Sequence, residues 1–305
     1  MPKPELSRAD SRRGLLFSFA GALCSALYLF PYKRAAAFAP AHVLAFALLV
    51  VAALLTSAVA VVEARRASPA PRRARNILWG TSALLAVVTI TGNWCGAQAV
   101  SRLEPAIASV LLRTEVVFVG GLAALLLGER MTPALGLGAL TALFGLVVMR
   151  WPLRLDAPGE GAAWALGAAA SFGLMQVATR RVIEHISPLA VNALRLWLAV
   201  ALLALVPGTL GGALTAGPHF WCFISAAGLF GPCLGRLCIM YSLRTLRAAH
   251  SALLLLLAPV LAFVIGYVGW GTLPTGLEVG GGALMLVGIA LPSLAAQLEG
   301  GYRAR

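Results

Sequence analysis

Ten stretches of about twenty residues, nearly free of charge, run through this chain and leave little sequence for anything else. They fall roughly at 13–32, 39–62, 76–99, 105–127, 133–151, 160–179, 188–210, 218–241, 248–271 and 275–297. A helix rises 1.5 Å per residue, so about 20 apolar residues cross the roughly 30 Å of hydrocarbon in a bilayer. Backbone N–H and C=O groups meet no water there, which restricts a spanning chain to helices or a closed barrel. Barrel strands alternate apolar and polar residues. These runs do not alternate, so the expected fold is an all-α polytopic membrane protein with ten transmembrane helices. Composition agrees, since 60% of the 305 residues are hydrophobic and 11% charged, where soluble domains carry about 25% charge.

A net charge of +13 raises nucleic acid as a partner, and the placement of the charge removes it. With the N-terminus inside, sixteen Lys and Arg residues fall on cytoplasmic segments, among them Arg65, Arg66, Arg72, Arg73 and Arg75. Five fall outside: Lys33, Arg34, Arg102, Arg150 and Arg154. This is the positive-inside bias, and it places both termini in the cytoplasm of a multi-pass protein of the cell's inner (plasma) membrane. The bilayer is the partner of the basic loops, and no nucleic acid is expected. SRRGLLF (Ser11 to Phe17) resembles a twin-arginine export signal, but nine further spans follow it, so it reads as the basic flank of the first span. The five cysteines all lie in spans without a C-x-x-C pair. They read as small apolar residues rather than metal ligands or disulfides.

The sequence repeats itself. Shifted by 143, the stretch from Leu103 to Gly145 lies without a gap on that from Leu246 to Gly288. Gly128 then meets Gly271, Thr132 meets Thr275, and Gly138 meets Gly281. Leu135 on Glu278 is a mismatch. A shift of 147 places Gly14 on Gly161 and Lys33-Arg34 on Arg180-Arg181. Each copy, 1–156 and 157–305, holds five spans. Five is odd, so the second copy enters the membrane upside down relative to the first. Inverted repeats are an architecture of secondary transporters, with the binding site between repeats near the midplane.

On these residues the chain resembles the EamA-type branch of the drug/metabolite transporter superfamily over nearly its whole length. The most specific piece is LAALLLGERMTPALGLGALTALFGLVV (Leu122 to Val148), with Gly128-Glu129-Arg130 at its turn, and APV (Ala258 to Val260) is similar to the family's mid-helix proline. Two departures stand out: Val116 takes the proline position in the first half, and Gly271-Thr272-Leu273 replaces Gly-Glu-Arg in the second. The resemblance implies two EamA-like repeats and movement of small metabolites by alternating access, and it names no substrate.

An ionisable residue at a helix centre in the membrane costs about 2.5–3.5 kcal/mol or more and usually faces a cavity or the bundle interior. In SVLLRTEVVFVG (Ser109 to Gly120), Glu115 lies about 15 Å into the fourth span by helical rise, with Arg113 slightly shallower. On an unbroken helix residues two apart point about 200° from each other, so the pair is not expected side by side. Glu115 is a candidate proton-coupling or gating residue, and Arg113 a candidate counter-charge. Either could instead be held in a fixed ion pair. Arg236, in the eighth span, falls at the repeat position of Asn93, and Gln98 falls on Tyr241. Those four and Gln176 complete the expected substrate or coupling set. Arg195 reads as a headgroup or structural residue rather than a substrate contact, Glu278 as interfacial, and Glu129-Arg130 as a cap for the fourth span or an orienting loop.

These readings converge on a secondary transporter of a small polar metabolite, amino-acid-like or anionic, with proton coupling or exchange as energy sources. No cofactor or metal is expected, and neither G-x-x-x-x-G-K-[ST] nor an intramembrane catalytic constellation occurs in the sequence. A broad-specificity drug exporter is the rival within transport. A non-transporting receptor or structural protein is the rival outside it. Oligomeric state is not legible.

Overall fold

A computed structural model describes residues 8–66, 72–103, 105–129, 131–152, 159–270 and 275–303. Arg130, Asp156, the Gly271-Thr272-Leu273 stretch and the expected boundary at 156/157 lie outside the described residues. Every regular element among those described is helical: α1 (Arg8–Ala35), α2 (Ala41–Arg66), α3 (Arg72–Arg102), α4 (Pro105–Arg113), α5 (Glu115–Leu127), α6 (Pro133–Met149) and α7 (Gly159–Val182). There follow α8 (Pro188–Ala204), α9 (Thr209–Thr215), α10 (Pro218–Gly228), a π-helical segment (Leu229–Gly235), α11 (Arg236–Thr245), α12 (Ala248–Leu255), α13 (Leu257–Trp270) and α14 (Gly276–Arg303).

Seven helical stretches are long and apolar enough to cross a membrane, from Arg12–Ala35 to Ala248–Val268. The other three expected spans fall on α6, α8 and α14. Helix α6 has 17 residues. The apolar part of α14 is Gly276–Pro292, and α8 is followed by α9 after a bend of 101°. Gly208 takes φ 80° at that bend, a left-handed conformation that a Cβ would penalise.

The chain divides into two compact units, one from Met1–Asn93 with Ala178–Leu246 and the other from Trp94–Val177 with Arg247–Arg305. In the first, α1 runs antiparallel to the α10–π–α11 span. Gly14 faces Thr245 and Leu246, and Gly231 faces Tyr28. Ser18 and Ser242 share a buried hydrogen bond of 2.5 Å. Helices α2 and α8 pack through Ala47, Ala52, Leu196 and Ala199, with Phe220 and Ile224 of α10 closing the same core.

In the second unit, α6 and α14 cross antiparallel at their glycines. A Cβ on Gly138 would lie 2.5 Å from the Gly288 carbonyl oxygen, and one on Gly145 2.7 Å from that of Gly281. Lipid tails are as apolar as leucine, so burial does not drive helices together in a bilayer; close backbone approach through small residues does. The N-termini of α6 and α14 are capped alike. Thr132 Oγ1 accepts from the Leu135 N–H at 3.3 Å, and Thr275 Oγ1 accepts from the Glu278 N–H at 3.2 Å. Glu278 returns the bond, accepting from the Thr275 N–H at 2.9 Å, a full capping box. The mismatch of Leu135 with Glu278 is thus a difference between a half and a whole cap. Glu278 is a capping residue of its own helix.

Glu129 corrects another expectation. Gly128 ends α5 with φ 64°, and the Glu129 N–H bonds the Ala123 carbonyl at 3.1 Å. This left-handed turn aims Glu129 away from the helix it ends. Its carboxylate accepts instead from the Ala248 N–H at 3.1 Å, satisfying an orphan donor at the start of α12. Glu129 caps the ninth expected span rather than the fourth.

Candidate functional site

Two of the long spans are broken in mid-course. In the fourth, α4 stops at Arg113 and α5 begins at Glu115. Between them Thr114 keeps right-handed angles with ψ near zero (φ −62°, ψ −6°), and its N–H bonds the Leu111 carbonyl three residues back at 3.1 Å. The Thr114 hydroxyl donates to the same carbonyl at 2.6 Å. A threonine that bonds back in this way bends a helix. In the ninth span α12 stops at Leu255 and α13 begins at Leu257. The Leu256 N–H there bonds the Leu253 carbonyl at 3.1 Å. Pro259 supplies the cause, because it has no N–H for the Leu255 carbonyl and its ring crowds that oxygen.

Both breaks face one small cavity. Arg113, Glu115 and Val116 line it from the fourth span, Ala252, Leu255 and Leu256 from the ninth, and Gln176 from α7. Its volume is about 10 Å³, room for roughly one water molecule. Arg113 and Glu115, both expected in the substrate or coupling set, line the same space. Gln176 is buried (1% exposed) and donates its amide Nε2–H to Glu115 Oε1. A carboxylate only accepts, which fixes which end of the amide faces it. The Gln176 Oε1 is buried without a hydrogen-bond partner among the described residues. The site thus offers a guanidinium, a carboxylate and an orphaned amide acceptor within an apolar rim.

The other expected residues lie elsewhere. Asn93 is exposed, and its Nδ2–H donates to the Thr89 carbonyl at 2.7 Å on its own helix. Gln98 accepts from Arg102 near the end of α3. Tyr241 stacks on Phe17 with ring centroids 5.4 Å apart, and the Arg244 guanidinium lies 5.5 Å over its ring. Arg236 is buried (8% exposed) and donates to Thr179 Oγ1 at 3.5 Å.

Of its two expected roles, headgroup or structural, Arg195 takes the structural one. It is 2% exposed and donates to Thr89 Oγ1 and Asn192 Oδ1, both at 2.7 Å. Asn192 in turn donates to the Pro232 carbonyl at 3.0 Å. A headgroup role is excluded by this burial. The first unit therefore holds a buried polar cluster next to its π-helical segment, built on Thr89, Asn192 and Arg195. The sequence carried one signal for it: Pro232, inside an apolar run, must disturb the helix. π-helical turns are frequent at functional sites because they displace backbone groups from the regular ladder.

Comparison with known proteins identifies the family of the chain. The EamA-like transporter family matches residues 12–151 and again residues 159–294. A curated relative, the "Probable terminal-alkyne amino-acid exporter" of Streptantibioticus cattleyicolor, is 33% identical over 186 residues, which is 60% of this chain. The chain matches 62% of that relative's length. A solved structure described only as "Crystal structure of protein" superposes with a TM-score of 0.77, covering 92% of this chain and 98% of its own at 21% identity. That likeness is one of fold. Matched twice by one family along nearly all of its helices, the chain belongs to the EamA-like transporter family of the drug/metabolite transporter superfamily.

Proposed function

We propose that the protein is a secondary transporter that carries a small amino-acid-like metabolite across the cell's inner membrane by alternating access. The observation that carries this reading is the grouping of Arg113, Glu115 and Gln176 at the two span breaks. A zwitterion presents a carboxylate and an ammonium. The guanidinium answers the first, and the carboxylate with the orphaned Gln176 oxygen answers the second. Ligand pockets for small molecules run to roughly 300–1,000 Å³. The site as described is therefore closed, and substrate entry requires the broken spans to move apart.

The ten-span, two-repeat organisation belongs to the same proposal, and repeated contacts support it. Gly14 faces Thr245 and Leu246, while Gly161, its equivalent, faces Arg102 and Leu103, theirs. Gly21 faces Ile239, while Gly96, the equivalent of Ile239, faces Ala168, the equivalent of Gly21. The Gly138–Gly288 and Gly145–Gly281 approaches are likewise one contact seen twice. The charge bias sets both termini in the cytoplasm. Glu115 couples transport to protons by exchanging between Gln176, Arg113 and solvent.

Counterflow of radiolabelled amino acids in proteoliposomes tests the substrate, with uptake into preloaded vesicles as the expected result. Glu115→Gln tests coupling: its flux should no longer vary with pH, and unchanged pH dependence would remove the proton role. The apolar lining from Val116, Ala252, Leu255 and Leu256 favours a second reading, a broad drug exporter. Counterflow of lipophilic cations without amino-acid counterflow would select it.

A further inference from the structure

Outside the candidate site, in the first unit, two thiols from different spans meet. Cys24 of α1 and Cys238 of α11 lie beside each other across the helix crossing. The antiparallel crossing of α1 with the eighth span brings them there. A Cβ on Gly235 would lie 3.3 Å from the Cys24 Cβ, and one on Gly21 would lie 3.6 Å from the Cys238 Cβ. Glycine on each helix, three residues before the cysteine, lets the two backbones approach closely, as a disulfide between them requires. Both cysteines are partly exposed. Cys233, the third cysteine nearby, is buried and its thiol is hydrogen-bonded to Thr56.

We infer that Cys24 and Cys238 form an oxidisable pair whose disulfide clamps the first span to the eighth. With hydrogen peroxide as oxidant, one sulfur attacks the O–O bond and becomes a sulfenic acid as water leaves. The second sulfur then attacks the first, forming the S–S bond and releasing a second water. Two thiols lose two electrons and two protons in total, and the peroxide is reduced to two waters. Cys238 lies three residues beyond the π-helical segment that ends at Gly235. The cross-link therefore fixes the helix just past the place where the eighth span is least regular. Alternating access requires such an element to move, so the oxidised protein is arrested and a dithiol reductant releases it. The arrest depends on the transport reading above; the cross-link does not.

The full chain in proteoliposomes is treated with hydrogen peroxide, then denatured and labelled with a maleimide. Two of the five cysteines should become unlabelled, and peptide mass spectrometry should show Cys24 joined to Cys238. Cys24→Ser and Cys238→Ser should abolish the link, and Cys233→Ser should leave it intact. Five labelled thiols after oxidation, or a bond that uses Cys233, would overturn the pair. Counterflow is read on the same vesicles, with a loss of tenfold or more on oxidation and recovery with dithiothreitol expected. Undiminished counterflow in fully cross-linked protein would overturn the clamp. Reduced vesicles without counterflow would count against the transport reading alone, while the thiol count still decides the cross-link.

Discussion

The fourth and ninth expected spans break at nearly the same place, yet by different chemistry. In the ninth, Pro259 breaks the ladder and the surrounding residues are apolar, with Ala258 fully buried. In the fourth, Val116 stands where that proline would be, and the break is made by the Thr114 hydroxyl holding the Leu111 carbonyl. The fourth also carries Arg113 and Glu115 at the break, where the ninth offers only hydrocarbon to the same cavity. The interruption is thus common to both spans and the charge is not. A mid-span break is a structural device that either residue set can make, while the ionisable groups were added on one side of it.

Placing charge on the wrong side should have the largest effect. Ala258→Glu puts a carboxylate at the position equivalent to Glu115 without a Gln176 to meet it. It should cost at least about 2.5–3.5 kcal/mol, visible as loss of monodisperse protein in size-exclusion chromatography. A well-folded Ala258→Glu protein would break the comparison. Pro259→Ala should restore the bond to the Leu255 carbonyl, stabilising the ninth span by up to about 3 kcal/mol. Thermal unfolding should shift upward while counterflow slows severalfold, because a straightened span opens less readily. Glu115→Gln keeps an acceptor for Gln176 and removes the charge. Its flux should fall about tenfold, equivalent to about 1.4 kcal/mol, with thermal stability nearly unchanged. Thr114→Val should have the smallest effect, about 0.5–1.5 kcal/mol of stability, with amide exchange slowed around residues 111–115 as the break relaxes.

The helices were largely legible before any coordinates, because hydropathy over about 20 residues is a strong signal. Seven of the ten expected spans meet the membrane criterion in full, and the weaker three fail on length or on a bend rather than on character. The proline break in the ninth span was visible as Pro259. The matching break in the fourth was not, since threonine in an apolar run signals nothing until its hydroxyl is seen to bond backward. Gln176 belongs to the expected substrate or coupling set, but its pairing with a carboxylate 61 residues away is tertiary information. Which of the two roles open to Arg195 it takes was not legible, because depth along a span says little about which way a side chain turns.

The crossing of α6 and α14 carries a mechanical consequence. Two helices touching at one point can scissor about it, but these touch backbone to backbone at two, Gly138 with Gly288 and Gly145 with Gly281. Two fixed points a pair of helical turns apart define a line, so the pair acts as a stiff strut. Strain applied to this unit cannot be absorbed there. It passes to the parts with joints of their own, the interrupted spans, and a single bulky residue at any of the four glycines would turn the strut into a pivot.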